Sequence, residues 1–225
     1  MAVFGVQTEA GYGALIGDVV RSRRLPDRAA SQRELQAAIA NANREWFPSA
    51  LAAPLTLTAG DEVQALFHRP EASVAVVRTL SDALAPGRMA FGLGWGALTT
   101  DLVPDPAVLD GPCFHAAREA LGRAQKQELW VVTQGFGFPA DDALSALFGL
   151  LGAVRSRWTA TQARYVAAAR GALQKDVAAR FGVSPSVVSE SLAAASFHVV
   201  TAGETATERL LVRFGSAGPS ARNAT

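Results

Sequence analysis

The chain has 225 residues, 49% of them hydrophobic and 18% charged, with a formal net charge of +1. That length buries a substantial core in one large or two small domains, and the modest charge excludes a chain disordered throughout. A lone cysteine, Cys113, excludes a disulfide framework and suits a reducing compartment. No apolar run approaches the roughly 18–20 residues of a membrane span. The N-terminal MAVFGVQTEAGYG lacks the basic-then-apolar pattern of a secretory signal, so a cytoplasmic location is expected.

Charge is unevenly placed. Residues 1–154 carry 12 Lys/Arg against 16 Asp/Glu, and residues 155–214 carry 8 against 4. An acidic first part and a basic second part imply two modules with different partners. A basic module is compatible with a polyanion without requiring one.

In chain order, Tyr12–Val20 (YGALIGDVV) reads as a buried strand with Asp18 near its C-terminal end. The basic loop Arg21-Ser22-Arg23-Arg24 follows, and Asp27 N-caps a helix expected to reach about Ala52. Strands are expected at about Leu55–Ala59 and Glu62–Phe67, joined by an acidic hairpin tip, Gly60-Asp61. A helix opens at Pro70 and stops at Pro86-Gly87. Arg88–Trp95 is the fourth strand, where the alternate glycines Gly92, Gly94 and Gly96 mark a close approach. A helix from Gly111-Pro112 to about Ala124, a strand at Glu128–Thr133 and an apolar helix at Asp141–Trp158 complete this part.

Strand–helix–strand–strand–helix–strand is the order of a ferredoxin-like or palm domain, here extended by one helix and one strand. A right-handed crossover makes the first two strands parallel, with the third fitting antiparallel between them. Asp18 and Asp61 then end at the same sheet edge, 43 positions apart in sequence. Carboxylates gathered there repel unless protonated or bridged, and such hard oxygen donors suit Mg²⁺ or Mn²⁺, which bring nucleotide phosphates with them. Asp18, Asp61 and Glu62 are the candidate metal ligands, with Arg21, Arg23 and Gly60 placed for phosphate. The plainer reading leaves Asp18 at a strand end and Asp61 as a turn residue.

The segments ALIGDVVRSRRL, AGDEVQALF, FGLGWGALTT and DGPCFHAAREAL resemble the SatD family of bacterial proteins over nearly the whole chain. More distantly they are similar to the palm domains of class III nucleotidyl cyclases and GGDEF-type diguanylate cyclases. That resemblance implies two divalent cations at Asp18 and Asp61, and a transition-state arginine at Arg118. Departures oppose turnover. Ala59 stands where the GGDEF turn has its first glycine, and Phe114 stands where cyclases place an asparagine. No Lys/Asp pair is present to select a purine.

In the last part, Thr159–Ala169, Gln174–Phe181 and Pro185–Ala195 read as helices, with Thr159 and Ser184 as N-caps. Ala178, Gly182 and Val188 fall at helix-turn-helix spacings. The expected DNA contacts are Lys175, Arg180, Ser184, Ser186 and Ser189, although the third helix carries no basic residue and includes Glu190. Dimerisation or protein contact is the competing use. Gly203–Phe214 is expected to form a further amphipathic helix useful at a dimer interface, before a flexible tail.

The fold expected is therefore α+β: a palm-like domain over residues 1–154, an all-α helix-turn-helix domain over 155–214 and a tail over 215–225. The function expected is a cytoplasmic, homodimeric regulator. Its palm binds a nucleotide or divalent cation, and its helix-turn-helix binds DNA or a partner protein, with no membrane contact. The alternative is an active Mg²⁺- or Mn²⁺-dependent nucleotidyl cyclase that uses the C-terminal helices for assembly.

Overall fold

The computed structural model describes residues 11–20, 27–58, 62–84 and 89–216. It is an α+β fold built on a mixed five-stranded sheet. The strands are β1 (Tyr12–Val19), β2 (Leu51–Leu57), β3 (Glu62–Phe67), β4 (Met89–Gly96) and β5 (Val131–Gln134), in the order β2-β3-β1-β4-β5. β3 runs antiparallel to both β1 and β2, β4 antiparallel to β1, and β5 parallel to β4. The derived placement of β3 between β1 and β2 is what the chain adopts.

Two layers cover the sheet. On one face α1 (Arg28–Trp46), α2 (Ala72–Asp82) and α4 (Ala140–Arg155) bury Leu15, Phe67, Phe91, Leu93 and Phe148. On the other face α3 (Pro112–Lys126) covers Ala14, Ile16, Ala90 and Val132. The contact of α3 with β4 explains the alternate glycines. A Cβ at Gly92 would overlap the Ala117 carbonyl oxygen and the Leu121 nitrogen, and one at Gly94 would lie 2.9 Å from Ala117 Cα. What approaches that bare face is the backbone of α3 itself. Cys113, at the start of α3, is buried in this contact, and burial pushes its thiol up to about 12.

Several boundaries differ from expectation. The first helix stops at Trp46 rather than near Ala52, because Pro48 cannot continue it. The Ala-rich stretch after it forms the start of β2 instead. Pro54 is tolerated there because β2 is an edge strand. Asn43 of α1 reads that strand like a backbone: its Nδ2 donates to the Leu55 carbonyl at 2.9 Å, and its Oδ1 accepts from Leu55 N–H at 2.7 Å. α2 starts at Ala72, two residues after Pro70. β5 starts at Val131 because Gln127 and Glu128 form the turn that ends α3, with Glu128 at φ 54°.

Beyond α4 lie α5 (Ala160–Ala169), α6 (Gln174–Phe181), α7 (Pro185–Ala194) and α8 (Phe197–Gly215). Thr159 and Gln162 form a reciprocal capping box on α5. Gly182 takes the left-handed conformation after α6, and the Ser184 hydroxyl accepts from Val187 N–H to cap α7. Val166, Val177, Ala178, Val188 and Leu192 form the core of these helices. α8 begins six residues earlier than expected and runs through Gly215, the first residue of the expected tail. Residues 217–225 lie outside the described residues. α8 packs against α4 and α2, and Leu211 enters the core beneath the sheet. Val199 and Val212 of the same helix remain exposed. Among the described residues no helix is long and apolar enough to cross a membrane.

Gly94→Ala should cost more than about 3 kcal/mol in denaturant unfolding, or abolish folding, because the displaced atoms are helix backbone that cannot yield in a close-packed interior. Gly122→Ala, with nothing within 4 Å of its Cβ, should be neutral or stabilising by up to about 1 kcal/mol.

Candidate functional site

The β1–β3 register sets Asp18 directly across from Glu62, so the two carboxylates are neighbours on one sheet face. Thr58 N–H donates to the Glu62 carbonyl at 2.8 Å, closing the β2–β3 hairpin at this edge. Ala59, Gly60 and Asp61 of its tip lie outside the described residues, as do Arg21, Arg23 and Arg24.

Both carboxylates are engaged by α3. The Arg118 guanidinium grips Glu62 with two nitrogens, Nη2 donating to Oε1 at 2.9 Å and Nη1 to Oε2. Gln64 Nε2 adds a bond to Glu62 Oε1 at 2.7 Å. About two turns further along the same side of α3, Gln125 Nε2 donates to Asp18 Oδ2 at 2.6 Å. Partial burial raises the Glu62 carboxyl, but Arg118, Gln64 and Thr58 outweigh it and hold Glu62 below its ordinary value. The same pair raises Arg118, which also feels the charge of Asp18.

Arg118, Glu62 and Asp18 sit together at this edge, and Arg118 closes on a protein carboxylate. Gln125 went unpredicted. The signal was its position seven residues after Arg118, which returns it to the same side of α3. Phe114, in the first turn of α3, is buried in the apolar layer on that side of the sheet. Among the described residues no group of three or more His, Cys, Asp and Glu could hold a metal ion. Among the described residues of this edge, Asp18 and Glu62 are hard oxygen donors of the right kind, and Glu62 would have to release Arg118 to serve.

Of the residues expected to meet DNA, Lys175, Arg180, Ser184, Ser186 and Ser189 are all exposed. Ser184 spends its hydroxyl on the α7 cap and on Ser186 Oγ at 3.1 Å. Arg164 and Arg180 lie over the Phe181 ring, 5.0 and 5.5 Å from its centroid.

A second polar constellation was invisible in the sequence. Glu204 of α8 is 3% exposed, and Arg170 pairs with it through both terminal nitrogens. Arg78 of α2 and Arg155 of α4 approach it at 3.6 and 3.8 Å. Arg155 also pairs with Asp82 and lies between Trp130 and Trp158, 4.6 and 4.8 Å from their ring centroids. One carboxylate thus draws together arginines from three helices.

The model of the SatD family matches residues 12–211. The chain belongs to the SatD family. No curated protein matches this SatD chain. Two solved structures of a bacterial light-regulated adenylyl cyclase are similar to 55% of it. One has 15% identity, a TM-score of 0.39 and 42% of its own chain covered; the other has 12%, 0.41 and 75%. The SatD chain thus spans less than half the length of the first of them.

Removing Arg118 should free Glu62 without unfolding the SatD protein. Arg118 is 53% exposed, so Arg118→Ala should cost under about 1 kcal/mol. An NMR titration should then show the Glu62 pKa rising from its depressed value. In the parent protein the contribution of Glu62 to stability is present above its ordinary 4.5 and is lost as pH falls through the depressed value. Glu204→Ala leaves buried arginines without their carboxylate and should cost about 3–5 kcal/mol in chemical denaturation. Breaking the exposed Arg69–Glu71 pair with Arg69→Ala should change stability by less than about 1 kcal/mol.

Proposed function

We propose that this SatD-family protein is a ligand-responsive regulator, in which a cyclase-like sheet edge binds a divalent cation or nucleotide without turning it over. The observation that carries this reading is the bidentate Arg118–Glu62 pair beside Asp18. An arginine committed to a protein carboxylate is withdrawn from stabilising charge on a transferring phosphoryl group. Phe114, a buried residue of α3, offers no polar group to a ribose or phosphate.

Asp18 and Asp61 would hold Mg²⁺ or Mn²⁺, with Glu62 joining only if Arg118 lets go. When bound, the cation would neutralise phosphate charge at this edge. Arg21, Arg23 and the Gly60 backbone would meet the phosphates. Residues 155–214 act as a helix-turn-helix module, with α6 and α7 as its helix pair. Lys175 and Arg180, both exposed, would contact the phosphates of DNA, and Ser186 and Ser189 would lie nearest the base edges. The outer face of α7, with the exposed Glu190 and no basic residue, favours weak sequence discrimination or a protein partner, with a second copy of the chain as the assembly expected.

Calorimetry with Mn²⁺ and ATP or GTP should show binding that Asp18→Ala abolishes, with no cyclic product on incubation. Cyclic product that disappears in Asp18→Ala would establish the enzyme instead. In gel shifts across a salt series, Lys175→Ala and Arg180→Ala should each lower affinity for duplex DNA and reduce the log–log salt slope by about 1. An absent shift at low salt would leave the helices as a protein-binding device.

A further inference from the structure

α4 lacks a polar outer face. From Ala143 to Val154 it carries no charged side chain, and its one hydroxyl there, Ser145, accepts from Thr133 N–H at 3.0 Å. A helix apolar all round is ordinarily buried all round. Leu144, Phe148 and Leu151 are buried, yet Leu150 is 67% exposed. Ala146 and Ala153, about one turn before and after it, are exposed as well. α8 continues this surface. A Cβ at Gly203 would lie 2.9 Å from Leu151 Cδ2, and about one turn to either side of Gly203 the exposed Val199 and Ala206 stand on the edge next to α4.

Two charges frame the exposed side of α4. Asp142 precedes Ala146 by about one turn, and Arg157 follows Ala153 just beyond the helix end. Both are exposed, and neither makes an ion pair among the described residues. They cannot meet within one chain, because about 22 Å of helix lies between them. Turned end for end about Leu150, this side of α4 matches itself in shape and opposes itself in charge. Ala146 falls level with Ala153, and Asp142 falls level with Arg157. Such self-complementarity is what an isologous two-fold contact requires. We propose that two copies of the chain pack antiparallel through α4 about a two-fold axis at Leu150, with Asp142 of each copy pairing with Arg157 of the other.

The area suffices. α4 has 16 residues and α8 has 19, so side by side they present a face about 24 Å long and about 20 Å wide. That is roughly 500 Å² in projection, and side-chain relief brings the accessible area near the ~800 Å² per partner of a stable interface. The small Ala146 and Ala153 let two copies of α4 approach closely, while Leu150 packs across the axis. This contact gives a place to the second-copy assembly proposed above and rests on that reading, with neither the cation nor DNA entering.

Sedimentation equilibrium of the full chain at low salt should show a monomer–dimer equilibrium. Leu150→Glu sets two like charges at the axis and should raise the dimer dissociation constant by about 100-fold or more. Because Leu150 is exposed, the circular dichroism of the folded chain should be retained. Asp142→Arg and Arg157→Asp, each alone, oppose like charges at both ends and should weaken the dimer by about tenfold. Mixed together, the two variants regain opposite charges at both ends, and a heterodimer of about the parent affinity should form. No rearrangement within one chain reproduces that rescue. A chain that stays monomeric at about 100 µM would overturn this contact and second-copy assembly together. A dimer undiminished by Leu150→Glu, or a mixture no tighter than either charge variant alone, would overturn this contact and leave assembly to another face.

Discussion

Everything at the candidate site depends on how closely α3 lies on β4. A sheet normally holds a helix off by the thickness of its side chains, yet Gly92 and Gly94 let the backbone of α3 touch the strand. That contact has little freedom to slide, because Ala117 and Leu121 sit where any Cβ would be. Fixing α3 this tightly fixes the reach of the side chains along it. Arg118 and Gln125, seven residues apart, arrive at Glu62 and Asp18 as a consequence. The acidic edge is therefore as much a product of the glycine-stripped strand as of its own carboxylates.

The same contact explains what was legible in the sequence. Topology placed Asp18 beside the β2–β3 hairpin because a right-handed crossover leaves few alternatives. The alternate glycines announced a close approach, though not by what, since a bare strand face fits a ligand or a helix equally. Helix ends in the C-terminal part were readable from local chemistry: Thr159 and Ser184 as caps, Pro185 at the first turn, Gly182 in the left-handed region. Where such signals were missing, boundaries slipped. Ala50–Ala53 suits a helix or a strand by composition, and only the edge pairing of β2 decides it. The start of α8 carries no cap, since Ser196 itself is left-handed and makes no capping bond.

Polar pairings at long range were the least legible part. Arg118 was read as facing a substrate because its helix and its neighbours matched such a role, but nothing local said that Glu62 would meet it across 56 positions. The Glu204 cluster is a stronger case. A glutamate in the polar-looking run Gly203-Glu204-Thr205 gives no hint of burial, and its partners come from three separate helices. Burial of a charge depends on what the rest of the chain brings to it, and periodicity carries no such information.

Glu204 also bears on how the two parts of the chain act together. Buried ion groups contribute little net stability when complete but are costly to break, so they favour one arrangement of the elements that supply them. Here those elements are α2 and α4, which cover the sheet, and α5 and α8, which belong to the C-terminal helices. α8 continues the link by placing Leu211 in the core beneath the sheet. A change in the position of α2 or α4 would have to carry Arg78 or Arg155 with it, or leave Glu204 under-compensated. The C-terminal helices are thus mechanically tied to the layer that covers the sheet, and Asp82, Trp130 and Arg155 stand at the tie.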